Sequence, residues 1–73
     1  MLPRPGYVQM AKIRRGGYIF WTWKGDHSPR HVHVRRNGKL VLKWDLEKRL
    51  PMEGKPTAAV LKLIRQLERE GLL

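Results

Sequence analysis

Two histidines one residue apart, His31 and His33, alternate with Val32 and Val34 directly after Pro29. Alternate residues of an extended strand share a side, so the two imidazoles are expected ~7 Å apart, close enough to share one phosphate or one metal ion. RNA cleavage without metal needs one group to take the 2′-hydroxyl proton and another to protonate the leaving oxygen. Two adjacent histidines can divide that work, with Arg30, Arg35 or Lys43 stabilising the charge on the phosphorane. Asp26 and His27 stand close enough in sequence to close on the same point. Two histidines with an unfixed third ligand do not define a coordination set, and the surrounding arginines oppose a cation, so no metal and no cofactor is expected. The plain alternative is that His31 and His33 line a strand face as binding or structural residues.

The chain around this pair is short and basic. Its 73 residues make one domain, and a chain of that size buries only ~60% of its unfolded surface, which leaves few apolar side chains for display. It has no cysteine, hence no disulfide and no thiolate metal site, and no apolar run long enough for a membrane span or a signal-peptide core. A soluble, cytoplasmic protein without membrane contact is expected. Sixteen Lys and Arg against six Asp and Glu give a formal charge of +10. That exceeds the ~2–8 that solubility requires, and points to a polyanion or an acidic protein as partner.

The elements that must position the histidines follow from periodicity. Residues 1–6, with Pro3 and Pro5, read as a flexible tail, and 7–73 as a single domain. Tyr7 to Ile13 is the least regular strand. Arg14-Arg15-Gly16-Gly17 is a turn leading into the aromatic and β-branched strand Tyr18–Trp23. An Arg15-Gly16 loop would set Trp21 beside Met10 and Trp23 beside Val8, whereas a Gly16-Gly17 loop would set Phe20 beside Ile13, and both use glycine acceptably. Lys24 to Pro29 is a loop in which Pro29 directs the next strand. Strands Arg30–Arg35 and Lys39–Trp44 are joined through Arg36-Asn37-Gly38. A two-residue Asn37-Gly38 turn would pair His33 with Leu42 and His31 with Trp44, mixing histidine with the apolar set. A three-residue loop closed by Gly38 pairs Val34 with Leu40, Val32 with Leu42 and Arg30 with Trp44, and leaves His31, His33, Arg35, Val41 and Lys43 on the opposite face. The three-residue loop is therefore expected.

Leu46 to Lys55 reads as a connection. A helix follows, with Pro56 in its first turn, Val60, Leu63, Ile64 and Leu67 on one apolar stripe, and Gly71 as its stop. Lys62, Arg65, Gln66 and Arg69 form its basic face, with Glu68 in reach of Arg65. The sum is an α+β domain, an antiparallel three- to four-stranded sheet with one C-terminal helix packed on one face. The helix covers the valine and leucine face, and the histidine face is left open unless the N-terminal segment or a second subunit covers it.

The order of aromatic strand, Asp-His-Ser-Pro, Arg-His-Val-His-Val, Arg-Asn-Gly hairpin and short C-terminal helix, from about Gly17 to Leu73, resembles the bacterial family of domain of unknown function 4160. The core of that family reads Pro-x-His-x-His-Val. The resemblance implies no established activity, but members often sit in two-gene cassettes of toxin–antitoxin type, which implies an acidic protein partner encoded nearby. The chain is also similar to small messenger-RNA-cleaving toxins on a double-stranded-RNA-binding-like fold. Those carry a helix before the first strand, where this chain has Tyr7–Ile13.

Three functions compete. The first is binding of nucleic acid, RNA in particular, through Arg30, His31, His33, Arg35 and Lys43 with a rim of Arg14, Arg15, Arg36 and Lys39, weakened steeply by salt. Trp21, Trp23 and Trp44 could offer stacking planes, although core packing is expected for at least two of them, and at least one of Trp21 and Trp23 should face the histidine side. The second is docking of an acidic protein by the same face. The third is a metal-independent ribonuclease resting on His31 and His33. The first two are favoured jointly. Dimerisation through an open sheet edge is compatible with all three.

Overall fold

The first turn closes on Gly16 and Gly17, both with positive φ (60° and 81°), and this fixes the register that the sequence left open. In the computed structural model, which describes residues 9–24 and 30–73 with side chains for 11–22 and 30–73, strand β1 (Gln9–Arg15) pairs antiparallel with β2 (Tyr18–Lys24), setting Ile13 opposite Phe20. The expectations for residues 1–8 and for the loop 25–29, including Asp26 and His27, fall outside the described residues. β3 (His31–Arg36), β4 (Lys39–Asp45) and β5 (Leu50–Gly54) follow, and the helix α1 (Ala58–Arg69) ends the fold. The sheet is a five-stranded meander in the order β1-β2-β3-β4-β5, so the expected three to four strands become five. A strand, not a helix, precedes β2, unlike the RNA-cleaving toxins.

The β3–β4 hairpin corrects the expected register. Arg36 pairs with Lys39 across a two-residue Asn37-Gly38 turn, with φ of 53° and 76°, the two positive values that a type I′ turn needs. The expected mixing of faces does not follow, because a β-bulge beside Val34 and Arg35 absorbs one residue of β4: Arg35 pairs with Leu40, and Val34 with Leu42. From there Val32 faces Trp44 and His31 faces Asp45. Val41 is the extra residue and packs against the core, not among the histidines. Leu40, opposite Arg35, leaves the apolar face, and Trp44 takes its place there.

β5 was expected to be part of a connection because Pro51 and Gly54 interrupt its pattern. It is an edge strand, where a proline costs no ladder bond on its outer side. Asp45 makes the link from β4: its Oδ1 accepts from the backbone N–H of Glu47 and of Lys48, both at 2.8 Å, and Arg49 closes the turn with φ of 60°. These bonds hold the Asp45 carboxyl below the usual carboxylate range.

Phe20, Val32, Val34, Leu42 and Trp44 of the sheet meet Val60, Ile64 and Leu67 of α1, with Leu46 and Leu73 closing the ends. Leu63 packs beside them and lies over Gly16. Thr57 caps the helix, accepting from Val60 N–H at 3.2 Å, so Pro56 precedes the cap instead of entering the first turn. At the other end Leu72 N–H bonds to Leu67 O and Gly71 N–H to Glu68 O, a Schellman closure with Gly71 at φ 77°. Among the described residues two ion pairs tie the C-terminal end of the helix to the sheet and to its β4–β5 link. Arg15 forks onto both carboxylate oxygens of Glu70 (2.5 and 2.8 Å), and Arg49 reaches Glu68 at 2.9 Å, where Arg65 was the expected partner.

Candidate functional site

The strand registers line up one row of side chains across all five strands on the face away from α1. Lys12 is opposite Trp21, Trp21 opposite His33, His33 opposite Lys43, and Lys43 opposite Glu53. Opposite residues of antiparallel strands have Cβ atoms ~4.5–5.5 Å apart on the same side, so neighbours in the row touch or nearly touch. The next row runs Arg14, Ile19, Arg35, Leu40, and the one on the other side holds His31, Asp45 and Leu50.

Trp21 is the centre of this face. The Lys12 ammonium lies 5.3 Å from its ring centroid and the Arg35 guanidinium 5.5 Å, so a half-buried indole is flanked by two cations from neighbouring strands. Its Nε1 has no hydrogen-bond partner among the described residues, and neither has Arg35 Nε. The expectation that one of Trp21 and Trp23 faces the histidine side is met by Trp21, since Phe20 and Thr22 on either side of it are buried toward the helix. Only Trp44 is placed in the core among the described tryptophan side chains; that of Trp23 lies outside them.

The histidines are not equivalent. Their ring centroids are 5.0 Å apart, tilted by 40°. His31 is only 7% exposed, between Asp45 opposite it and the His33 ring, so the histidine face is not open along its whole length. His33 is half-buried, and its pKa is lowered from the usual histidine value, first by burial and then by His31, Lys43 and Arg35, with Glu53 acting in the opposite sense. His33 is therefore neutral at pH 7. Among the described residues no three of His, Cys, Asp and Glu come together in a way that could hold a metal ion.

The remaining expected site residues are spread more widely. Arg35 and Lys43 stand on the row face, half-buried. Arg14 joins them from β1. Arg30 is exposed, and its backbone N–H donates to Glu47 at 2.9 Å. Arg15 is engaged by Glu70 on the helix side and does not border the histidines. Arg36 lies over the Tyr18 ring at 5.4 Å, and Lys39 is exposed opposite it, at the turn end of the sheet. Lys12 was missed, although the Gly16-Gly17 register would have placed it against Trp21. Glu53 was missed because β5 read as a connection.

A family model for a domain of unknown function, DUF4160, matches residues 17–70. The chain belongs to the DUF4160 family. The matched stretch holds Trp21, His33, Arg35, Lys43 and Glu53, while Lys12 and Arg14 of β1 lie before it. No curated protein and no solved structure matches the chain. No helix among the described residues is long and apolar enough to cross a membrane.

Proposed function

We propose that this DUF4160 protein binds a single-stranded nucleic acid, RNA in particular, on the sheet face that carries the Trp21 row. The observation that carries the reading is Trp21 flanked by Lys12 and Arg35 within a row that continues through His33 to Lys43. An unpaired base stacks on an indole for about 1–3 kcal/mol whatever its identity, and cations beside the ring pass to the flanking phosphates. A toxin–antitoxin-like cassette role rests on the family resemblance.

The test is a nitrogen-15 chemical-shift titration with a short unpaired RNA. Shifts concentrated at Lys12, Trp21, His33, Arg35 and Lys43 support the reading. Shifts of equal size at Lys62, Arg65 and Arg69 of the helix would reduce it to diffuse charge attraction.

A second reading, docking of an acidic protein, is favoured by Leu50 (57% exposed) and Met52 (43%) on edge strand β5 beside the same face. Ribonuclease action would need both imidazoles on the scissile phosphate. Neutral His33 suits a base, whereas the burial of His31 withholds it from a substrate lying on the surface. Cleavage retained in His33→Ala would exclude the ribonuclease reading.

A further inference from the structure

The β1–β2 and β3–β4 turns lie at the same end of the sheet, and between them is a cleft of about 290 Å³. Its walls include Arg14 of β1, Gly17, Tyr18 and Ile19 at the start of β2, and Arg35 and Arg36 at the end of β3. No carboxylate lines it, and none of the three arginines makes an ion pair among the described residues, whereas Arg15 and Arg49 are both paired to glutamates of or beside the helix. Arg36 is held across the Tyr18 ring, with its guanidinium 3.5 Å from the Tyr18 hydroxyl, and Arg35 is held beside Trp21. Space above Gly17 is open, since a Cβ there would meet nothing within 4 Å. The cleft thus has the volume of a small-ligand site, with Arg14 and Arg35 reaching it from the face of the Trp21 row and Arg36, over the Tyr18 ring, reaching it from the helix side of the turn end.

We propose that this cleft receives a phosphate monoester, the phosphorylated end of the strand that lies on the Trp21 row. The proposal rests on the nucleic-acid reading above and names the end of the ligand. A terminal monoester carries close to two negative charges, against one for an internal diester, and offers three oxygens to guanidinium forks. Arg14 and Arg35 belong to both the cleft and the second row of the sheet face, so a strand crossing Trp21 leads into it. A 5′-phosphate, a 3′-phosphate and a free nucleoside monophosphate share this chemistry, and they are separated by experiment.

Calorimetric titrations compare one short RNA with a 5′-phosphate, with a 3′-phosphate and with hydroxyls at both ends, and adenosine monophosphate alone, at one salt concentration. The phosphorylated end that fits binds about tenfold tighter than the hydroxyl-ended strand, the gain of at least one hydrogen bond to a charged group. In Arg36→Gln that ratio falls to about one, since Arg36 belongs to the cleft and lies off the Trp21 row. Equal affinity of all three strands overturns the proposal while leaving the sheet-face reading intact. If no strand binds, but the monophosphate does so in an Arg36-dependent way, the sheet-face reading fails and the cleft stands as a free-nucleotide site. Absence of all binding overturns both.

Discussion

Salt dependence is the sharpest quantitative test of the Trp21 row, because the structure limits how many phosphates it can neutralise. Lys12, Arg14, Arg35 and Lys43 are the cations of the two central rows, and Glu53 opposite Lys43 makes four the upper bound. Each phosphate neutralised on a single strand contributes about −0.7 to the slope of log K against log salt, so the full set gives a slope of about −2.8. A fourfold rise in salt should then weaken binding about 50-fold. The double variant Lys12→Gln, Arg35→Gln keeps two of these cations, and its slope should fall to about −1.4, a loss of about sevenfold over the same range. Trp21→Leu should act differently: affinity drops by the stacking contribution of about 1–3 kcal/mol with the slope unchanged. Fluorescence anisotropy of a labelled unpaired RNA at four or five salt concentrations reads both quantities. The matched control is Lys62→Gln, Arg65→Gln on the exposed helix face, expected to leave the slope where it was. If the helix variant flattens the slope as much as the row variant does, the charge acts as a diffuse cloud and the placement on the sheet is refuted.

Two further predictions concern protons and the backbone. The pKa of His33 is lowered in the folded protein, so its contribution to stability is fully present above the usual histidine pKa of 6.5 and is lost as pH falls through the lowered folded value. Bound phosphates raise that value again, so RNA binding should take up a proton and tighten as pH falls from about 7.5 toward 6. Calorimetry in buffers of different ionisation enthalpy would detect the uptake, and a His33→Asn protein that still took it up would contradict the assignment. At Gly54, φ is +83° and an added Cβ would collide with the Val41 carbonyl oxygen, so Gly54→Ala should cost about 1–3 kcal/mol in chemical denaturation. Met52→Ala on the same strand, exposed, should stay within about 0.5 kcal/mol of the parent protein. An equally small effect at Gly54 would mean that β5 is not held against β4 at this point.

The separation of faces was legible because it needs only alternation: Val32 and Val34 against His31 and His33 hold at any register of the partner strand. The helix was legible because its stripe has the helical period. The hairpin register was not, because one bulge can undo the face-mixing that a turn would otherwise impose. Asn37-Gly38 is a strong two-residue turn signal, and Val41 gave no local sign that it would be the extra residue. β5 was hidden by Pro51 and Gly54, which local propensity reads as breakers and an edge position tolerates. The burial of His31 and its pairing with Asp45 are tertiary facts, set by the offset that the bulge creates.

In a chain of charge +10 the few carboxylates are used mainly to close the fold. Five of its six acids are described, and four are engaged in closing the fold. Glu68 and Glu70 fasten the helix end to Arg49 and Arg15. Asp45 and Glu47 accept backbone N–H groups of the β4–β5 link and of Arg30. Of the described acids only Glu53 reaches the Trp21 row, at its far edge. Glu70 and Glu68 neutralise Arg15 and Arg49, and Lys12, Arg14, Arg35 and Arg36 are among the cations left without ion pairs among the described residues. Self-repulsion of those cations is a cost that a bound phosphate chain removes. On that basis ligand binding should stabilise the protein most at low salt, where the repulsion is strongest.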